Sequence, residues 1–360
     1  MRKILIIFQI ATAVFVSAQN NSKYADSVRR ANGIPELAYA VITGDSILEM
    51  AFSGYHSVDL NDTAAISDRF HIGSNTKAMT AFMIAKHVEE NELQWNTKFF
   101  DLFPQWKKES NPAYYAITLK DLLSHRARIQ PFTEDEEDDS IPIFNGTNQQ
   151  KRTAFGKYVL TLKPATIDSS LKYTYSNAGY TLAALMVEKV TSESWEELVS
   201  KVFNKDLNID VQLSWPDNQL KKGTWGHAFE NNKLVPVPST TDYHLDYAEP
   251  AGDINITLTD YIKFIQLNIN GLMGKSNYLN AATYQFLHKG IENYSIGWAN
   301  IYENGKEFSA HSGSAGTYFS SVSIDRKKYT GYIIFTNSAT ENSITGVRLL
   351  MRKLKAMHGS

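Results

Sequence analysis

Ser74 and Lys77 stand three residues apart in "FHIGSNTKAMTAFMIAKHVEEN", where a strongly apolar run begins. A serine hydroxyl is a weak nucleophile until a base takes its proton. Positions i and i+3 share a helix face, so the Lys77 amine can reach the Ser74 oxygen. A helix N-terminus adds positive potential and free amide hydrogens, which suit a developing oxyanion. Desolvation lowers the pKa of an ammonium, so a buried Lys77 is able to lose its charge and act as a base. The competing reading is an ordinary helix start. The same S-x-x-K spacing recurs at Ser169 and Lys172, ahead of "YTYSN" and with no buried helix behind it; that pair reads as a surface coincidence.

Two further stretches carry chemistry. In "YTYSNAGY", Tyr175 and Asn177 put a phenol and an amide on one side of a short turn before a helix. A phenol near a cationic lysine ionises more easily and is suited to shuttle the serine proton. Asn177 is placed to hold both Lys77 and a substrate amide; the alternative is a buried tyrosine beside a helix-capping asparagine. In "AHSGSAGTYFS", His311 and Gly313 lie between two strand-like runs. A glycine there lets an extended substrate lie against a sheet edge. The Ser314 amide is a partner for that of Ser74 in an oxyanion hole, against the simpler reading of a Gly-rich turn with an exposed histidine.

These residues need elements to hold them. The spacing predicts a helix over 75–90, and because seven of the eight residues Ala78–Ala85 are apolar, that helix is buried rather than amphipathic. A first helix is expected over Asn21–Asn32, and "ELAYAVITGDSILEMAFSG" reads as a hairpin about Gly44-Asp45. The middle reads as mainly helical: "SNAGYTLAALMVEKV" is one segment and "SWEELVSKVF" another, with Ser194 and Glu197 in a capping-box pattern. Strands return in "YSIGWANIY", which turns at Asn304-Gly305 into "KEFSAH", and in "GTYFSSVSID" and "YTGYIIFTN". The chain closes on a helix with Ile344, Val347, Leu350, Met351 and Leu354 on one stripe. This order predicts an α+β fold: an antiparallel sheet built from both chain ends and flanked by helices, with a mainly helical inserted lobe. The sheet lobe would span about 19–73 and 250–358, and the helical lobe about 74–249.

Composition narrows the class. The chain has 360 residues, 43% of them hydrophobic, enough for a large core. Basic Arg2-Lys3, the run "ILIIFQIATAVFV" and small residues before Gln19 read as a signal peptide over residues 1–18, so the mature 19–358 domain is expected to be exported, periplasmic or secreted. No other apolar run is long enough for a membrane span. A net charge of −2 gives no basic surface for nucleic acid. The absence of cysteine excludes disulfides, thiol catalysis and thiolate metal sites. The histidines form no H-x-H or HExxH pair, so no metal and no cofactor is expected. The acidic run Thr133–Ser140 lacks the alternating ligands of a calcium loop and reads as solvated.

Together the three motifs, in this order, resemble the serine β-lactamase and penicillin-binding protein superfamily, and more closely its class C β-lactamase, D,D-carboxypeptidase and esterase branch, whose second motif is Y-x-N. "ITLKDLLSHRARI", "EPAGDINITLTDYIKFI" and "YSIGWANI" are similar to further segments of that branch, so the resemblance covers nearly all of the mature chain. It implies a β-lactamase/transpeptidase-like fold, with Ser74 as acylated nucleophile, Lys77 as its proton partner and Tyr175 as general base or acid. Asn177 would position substrate, and His311 and Gly313 would line the third side. Two departures stand out. The third motif opens with His311 where β-lactamases usually have a lysine, which lowers the expectation of efficient antibiotic hydrolysis and makes carboxylate binding depend on pH near neutrality. Arg126-Ala127-Arg128 replaces a serine-glycine turn; two arginines near the cleft suit an acidic substrate, against the commoner reading of solvated side chains.

The expected activity is an exported serine hydrolase acting through an acyl-enzyme on a D-amino-acid peptide, a β-lactam-like amide or a small ester. The alternative is a non-catalytic protein that binds cell-wall fragments in the same cleft. The partner is a small-molecule or peptide substrate, and the oligomeric state is left open. Lys77→Ala should cost far more turnover than Lys172→Ala; equal losses in one ester-hydrolysis assay would mean that the wrong serine-lysine pair was chosen.

Overall fold

In the computed structural model the described residues are 21–133, 141–167, 169–216, 223–239, 245, 247–314 and 316–359. The signal-peptide expectation over 1–18 and all but Thr133 of the acidic run lie outside them. Helix α1 covers residues 21–31. Strands β1 (Glu36–Ile42) and β2 (Ile47–Gly54) form the first hairpin, closed by the Thr43 amide donating to the Ser46 carbonyl at 2.8 Å. Strands β8 (Ala299–Glu303), β9 (Lys306–Ser314), β10 (Phe319–Asp325) and β11 (Thr330–Thr336) complete a six-stranded sheet ordered β2-β1-β11-β10-β9-β8. Every pairing in it is antiparallel, and β1 meets β11 with Tyr39 opposite Ile334. Both chain ends therefore build one sheet, as expected. The β8–β9 turn places Asn304 at φ 50° and Gly305 at φ 73°, the left-handed pair that a tight hairpin requires.

Helices cover both sheet faces. Leu37, Tyr39 and Val41 of β1 pack with Val347, Leu350 and Leu354 of α11 (Glu341–His358), while Ala38, Ala40 and Ile42 face the main core. Helix α9 (Leu258–Leu272) lies on that second side. Burial on both faces explains why β1 reads as a continuous apolar run rather than an alternation.

Helix α2 (Thr76–Glu89) is the axis of the main core, with Ala78–Ala85 buried throughout. Around it stand α6 (Asn177–Thr191), α7 (Trp195–Val199), the short α8 (Glu249–Gly252) and α10 (Ala281–Lys289). Helices α3 (Phe99–Leu102), α4 (Leu119–Leu123) and α5 (Asn148–Thr161) complete the helical part. Ser194 caps α7 in the expected box with Glu197, and the chain runs on as a π-helix over Ser200–Asp206. Among the described residues no helix is long and apolar enough to cross a membrane.

Strands also occur where the sequence reading gave helices and loops. β3 (Arg69–His71), β7 (Ile254–Thr257) and β4 (Val211–Leu213) make a small sheet, and β5 (Gly226–Glu230) and β6 (Lys233–Val237) a hairpin. Strands of three to five residues are too short to show a clear two-residue period. Leu350 is fully buried between α11 and the sheet. Leu350→Ala should therefore cost about 2–5 kcal/mol in urea or thermal unfolding.

Candidate active site

Ser74 lies in a 3-10 turn, Gly73–Asn75, that runs directly into α2. The turn is wedged against the end of β9. Gly73 has φ 49°, and a Cβ on it would lie 2.5 Å from the Ser314 nitrogen. A Cβ on Gly313 would lie 2.0 Å from the Ile72 carbonyl oxygen and 2.5 Å from the Ser74 nitrogen. Both glycines are thus required by close backbone approach, which brings the amides of Ser74 and Ser314 to the same place. Ser320 locks the turn from β10: its hydroxyl donates to the Ile72 carbonyl at 2.7 Å and accepts from the Asn75 side chain at 2.7 Å.

Lys77 is the second residue of α2 and fully buried. Its Nζ is 3.1 Å from Ser74 Oγ, 2.6 Å from Asn177 Oδ1 and 2.9 Å from the Ala251 carbonyl. Burial pushes its pKa well below the usual lysine range. Asn177 and Ala251 offer only acceptor oxygens. The two hydrogens of a neutral amine go to them, and its lone pair is left facing the Ser74 hydroxyl. Asn177 opens α6 and is itself held by its amide donating to the Phe132 carbonyl at 2.7 Å. Ser176, not Asn177, is the helix cap: its Oγ accepts from the Gly179 amide.

Tyr175 reaches the Ser74 hydroxyl with its phenol, and Lys77 Nζ sits 4.7 Å from its ring centroid. Burial raises the phenol's pKa, and the Ser74 hydrogen bond only partly opposes this. The expected easier ionisation is therefore corrected: desolvation outweighs the Ser74 hydrogen bond, so Tyr175 stays protonated. His311 differs in the same way. It is buried, and its pKa is lowered to about 3 by desolvation and then by Lys77. Its Nδ1 donates to the Ser312 carbonyl at 2.9 Å, so its Nε2 accepts from the Tyr294 hydroxyl at 3.0 Å. A neutral His311 does not titrate near neutral pH, and the expected pH-dependent carboxylate grip falls away.

Sequence reading passed over several contributors. His125 packs between Tyr175, Tyr180 and Tyr294 with ring centroids 4.3, 5.4 and 4.5 Å away, and its Nδ1 accepts from the Ser176 amide at 3.1 Å. It had been noted only within "LLSH". The Ala251 carbonyl is backbone and has no residue signature. Behind it, fully buried Arg152 of α5 bridges Glu188 of α6 at 2.6 Å, Glu196 of α7 at 3.0 Å and Glu249 of α8 at 2.9 Å. Desolvation raises the Glu249 carboxyl to about 8, against the pull of Arg152. This cluster ties together the two helices that present acceptors to Lys77.

The remaining candidates fall outside the site. Arg126 is spent on the backbone: it donates to the carbonyls of Ser124 at 2.9 Å, Tyr294 at 2.9 Å and Glu292 at 2.6 Å. Arg128 is exposed at φ 57° and donates to the Ala165 carbonyl. Lys172 is on the surface, 3.4 Å from Glu292, which agrees with reading Ser169 and Lys172 as coincidence.

A sequence profile of the beta-lactamase family matches residues 22–353. The chain belongs to the beta-lactamase family. Protein flp of Staphylococcus aureus (strain MRSA252) is 26% identical over 317 residues, covering 86% of this chain and 60% of flp. The chain thus spans about 60% of the length of that relative. Penicillin-binding protein 4 of Amycolatopsis lactamdurans is 24% identical over 316 residues, which are 82% of this chain and 78% of the relative. The fold is shared with the D-amino acid amidase of Ochrobactrum anthropi SV3 at TM-score 0.75, 18% identity and coverage of 95% and 99% of the two chains. It is also shared with an octameric penicillin-binding protein homologue from Pyrococcus abyssi at TM-score 0.74, 20% identity and coverage of 95% and 77%. This beta-lactamase-family chain thus carries the β-lactamase/transpeptidase-like fold that the resemblance implied.

The close approach of Gly313 has a direct test. Gly313→Ala should lower the melting temperature and abolish acylation of Ser74, whereas Ser312→Ala on the neighbouring exposed position should leave both essentially unchanged, read by thermal unfolding and adduct mass.

Proposed function

We propose that this chain is an exported serine hydrolase that works through a covalent Ser74 acyl-enzyme on an amide or ester of a D-amino acid or a short D-amino-acid peptide. The observation that carries the reading is the hydrogen-bond inventory of Lys77. Two of its three partners are acceptors only, which leaves its lone pair for the Ser74 proton. Lys77 takes that proton as Oγ attacks the substrate carbonyl, forming the C–O bond and a tetrahedral oxyanion held by the amides of Ser74 and Ser314. Tyr175, kept protonated by burial, donates a proton to the leaving group, and the proton on Lys77 restores it. Water then attacks the acyl carbonyl and passes a proton to Lys77, which returns it to Ser74 Oγ as the acyl–oxygen bond breaks and the carboxylic acid leaves. Asn177 positions Lys77, and His311 fixes the phenol of Tyr294 along the third side.

The substrate class follows from the charges. His311 is neutral and Arg126 is engaged with carbonyls, so these two residues offer no cation for a substrate carboxylate. This favours acyl donors without a carboxylate beside the reacting group over β-lactams. The D-amino acid amidase that shares the fold suggests the same direction. Export rests on the leader-like residues 1–18.

Incubation with a p-nitrophenyl ester, D-phenylalanine amide and a fluorescent penicillin, followed by intact mass, tests the proposal. The ester or amide should turn over or leave an acyl adduct, and Ser74→Ala should do neither; equal behaviour of the two proteins would mean a binding protein instead. Because Lys77 must be neutral, acylation should rise with pH through the lowered Lys77 pKa and then level off. His311 should add no second inflection between about pH 5 and 8.

A further inference from the structure

A second group of titratable side chains shares no residue with the Ser74 site. Glu36 opens β1, His56 follows β2, and Asp68 precedes β3. All are buried, at 0%, 4% and 2% exposure, and one ligand atom from each lies within 4.8 Å of the others. We propose that Glu36, His56 and Asp68 form a structural site for a divalent transition ion of the Zn²⁺ kind.

Each side chain is held by one atom and turns the other inward. Glu36 Oε2 accepts from the Thr224 hydroxyl, and Asp68 Oδ2 accepts from the Ala65 amide. His56 Nδ1 lies 2.8 Å from Asp62 Oδ2. That leaves Glu36 Oε1, Asp68 Oδ1 and His56 Nε2, all buried and turned toward one another with no hydrogen-bond partner outside the trio. Nε2 lies 2.9 Å from Asp68 Oδ1, the spacing of an ion pair when the imidazole is protonated and of two ligands of a common centre when it is not. An imidazole whose other nitrogen is bound to a carboxylate is the usual outer arrangement of a metal-ligating histidine. One nitrogen and two carboxylate oxygens suit zinc better than calcium, which takes six to eight oxygens.

Charge supports the same reading. Two neighbouring buried carboxylates need a positive charge between them. The competing occupants are protons, one on Glu36 and one on His56. An ion there would fasten residues 55–68 to β1, and the chain continues from Asp68 through β3 to the Ser74 turn.

The test uses chelator-treated protein with His87→Ala as background, because that change removes a surface trio of His87, Glu90 and Glu92. Titration with ZnCl₂ should show one bound equivalent and a melting temperature raised by several degrees, and Co²⁺ should give visible absorption bands. Glu36→Gln in this background should lose all of these. If Glu36→Gln does not fold, His56→Gln read by native mass of the zinc-loaded protein replaces it. The proposal is overturned if the background protein binds no zinc, or if the variants bind it equally. Glu36→Gln that melts at or above its parent, with neither responding to zinc, assigns the site to protons. Ser74 acylation of the chelator-treated protein is measured alongside, so either result leaves the hydrolase reading to its own test.

Discussion

A lysine amine sealed from water at the root of α2 is the constraint on which the rest of the structure depends. An unpaired ammonium in such a place would cost several kcal/mol, so the surroundings either neutralise it or solvate it with oxygen. Here they do both. Burial depresses the pKa, and oxygens from α6 and α8 take the hydrogens. Those oxygens hold their positions because Arg152 gathers Glu188 and Glu249 behind them. The Thr80 hydroxyl adds a bond from α2 to the Pro250 carbonyl at 2.8 Å and receives the Trp195 indole N–H at 3.1 Å. The reactive corner is therefore the front of a polar framework threaded through an otherwise apolar core.

Much of this was legible in the residues. The all-apolar face of Ala78–Ala85 announced a buried helix, and a lysine at its mouth had nowhere dry to go except toward Ser74. The sheet from both ends followed from strand-like runs near residues 36 and 330, and the register of β1 with β11 joins them. Asn177 against Lys77, and Gly313 against the Ser74 turn, lay where the motifs put them.

The first cause of what the residues did not disclose is the local dielectric. Proximity of Lys77 suggested an ionisable Tyr175, and the ordinary imidazole range a titrating His311, but enclosure acts on both groups and favours each neutral form. The two arginines after His125 looked available to a ligand, yet Arg126 serves as a bolt between backbone carbonyls of two segments. Contributions from main-chain atoms, such as the Ala251 carbonyl, have no side-chain code. Nor do clusters assembled from distant positions, such as Arg152 with three glutamates, or Glu36 with His56 and Asp68.

The strand order also dictates when the molecule becomes competent. β11 pairs with β1 on one side and β10 on the other, so the sheet stays split until residue 336 has been synthesised. The Ser74 turn leans on β9 and β10, which are made more than 230 residues after it. A nascent chain that has already released α2 into solution thus holds Ser74 without its supports. The Ser74 corner is assembled only by the closing of the long loop that joins the first strands to the last.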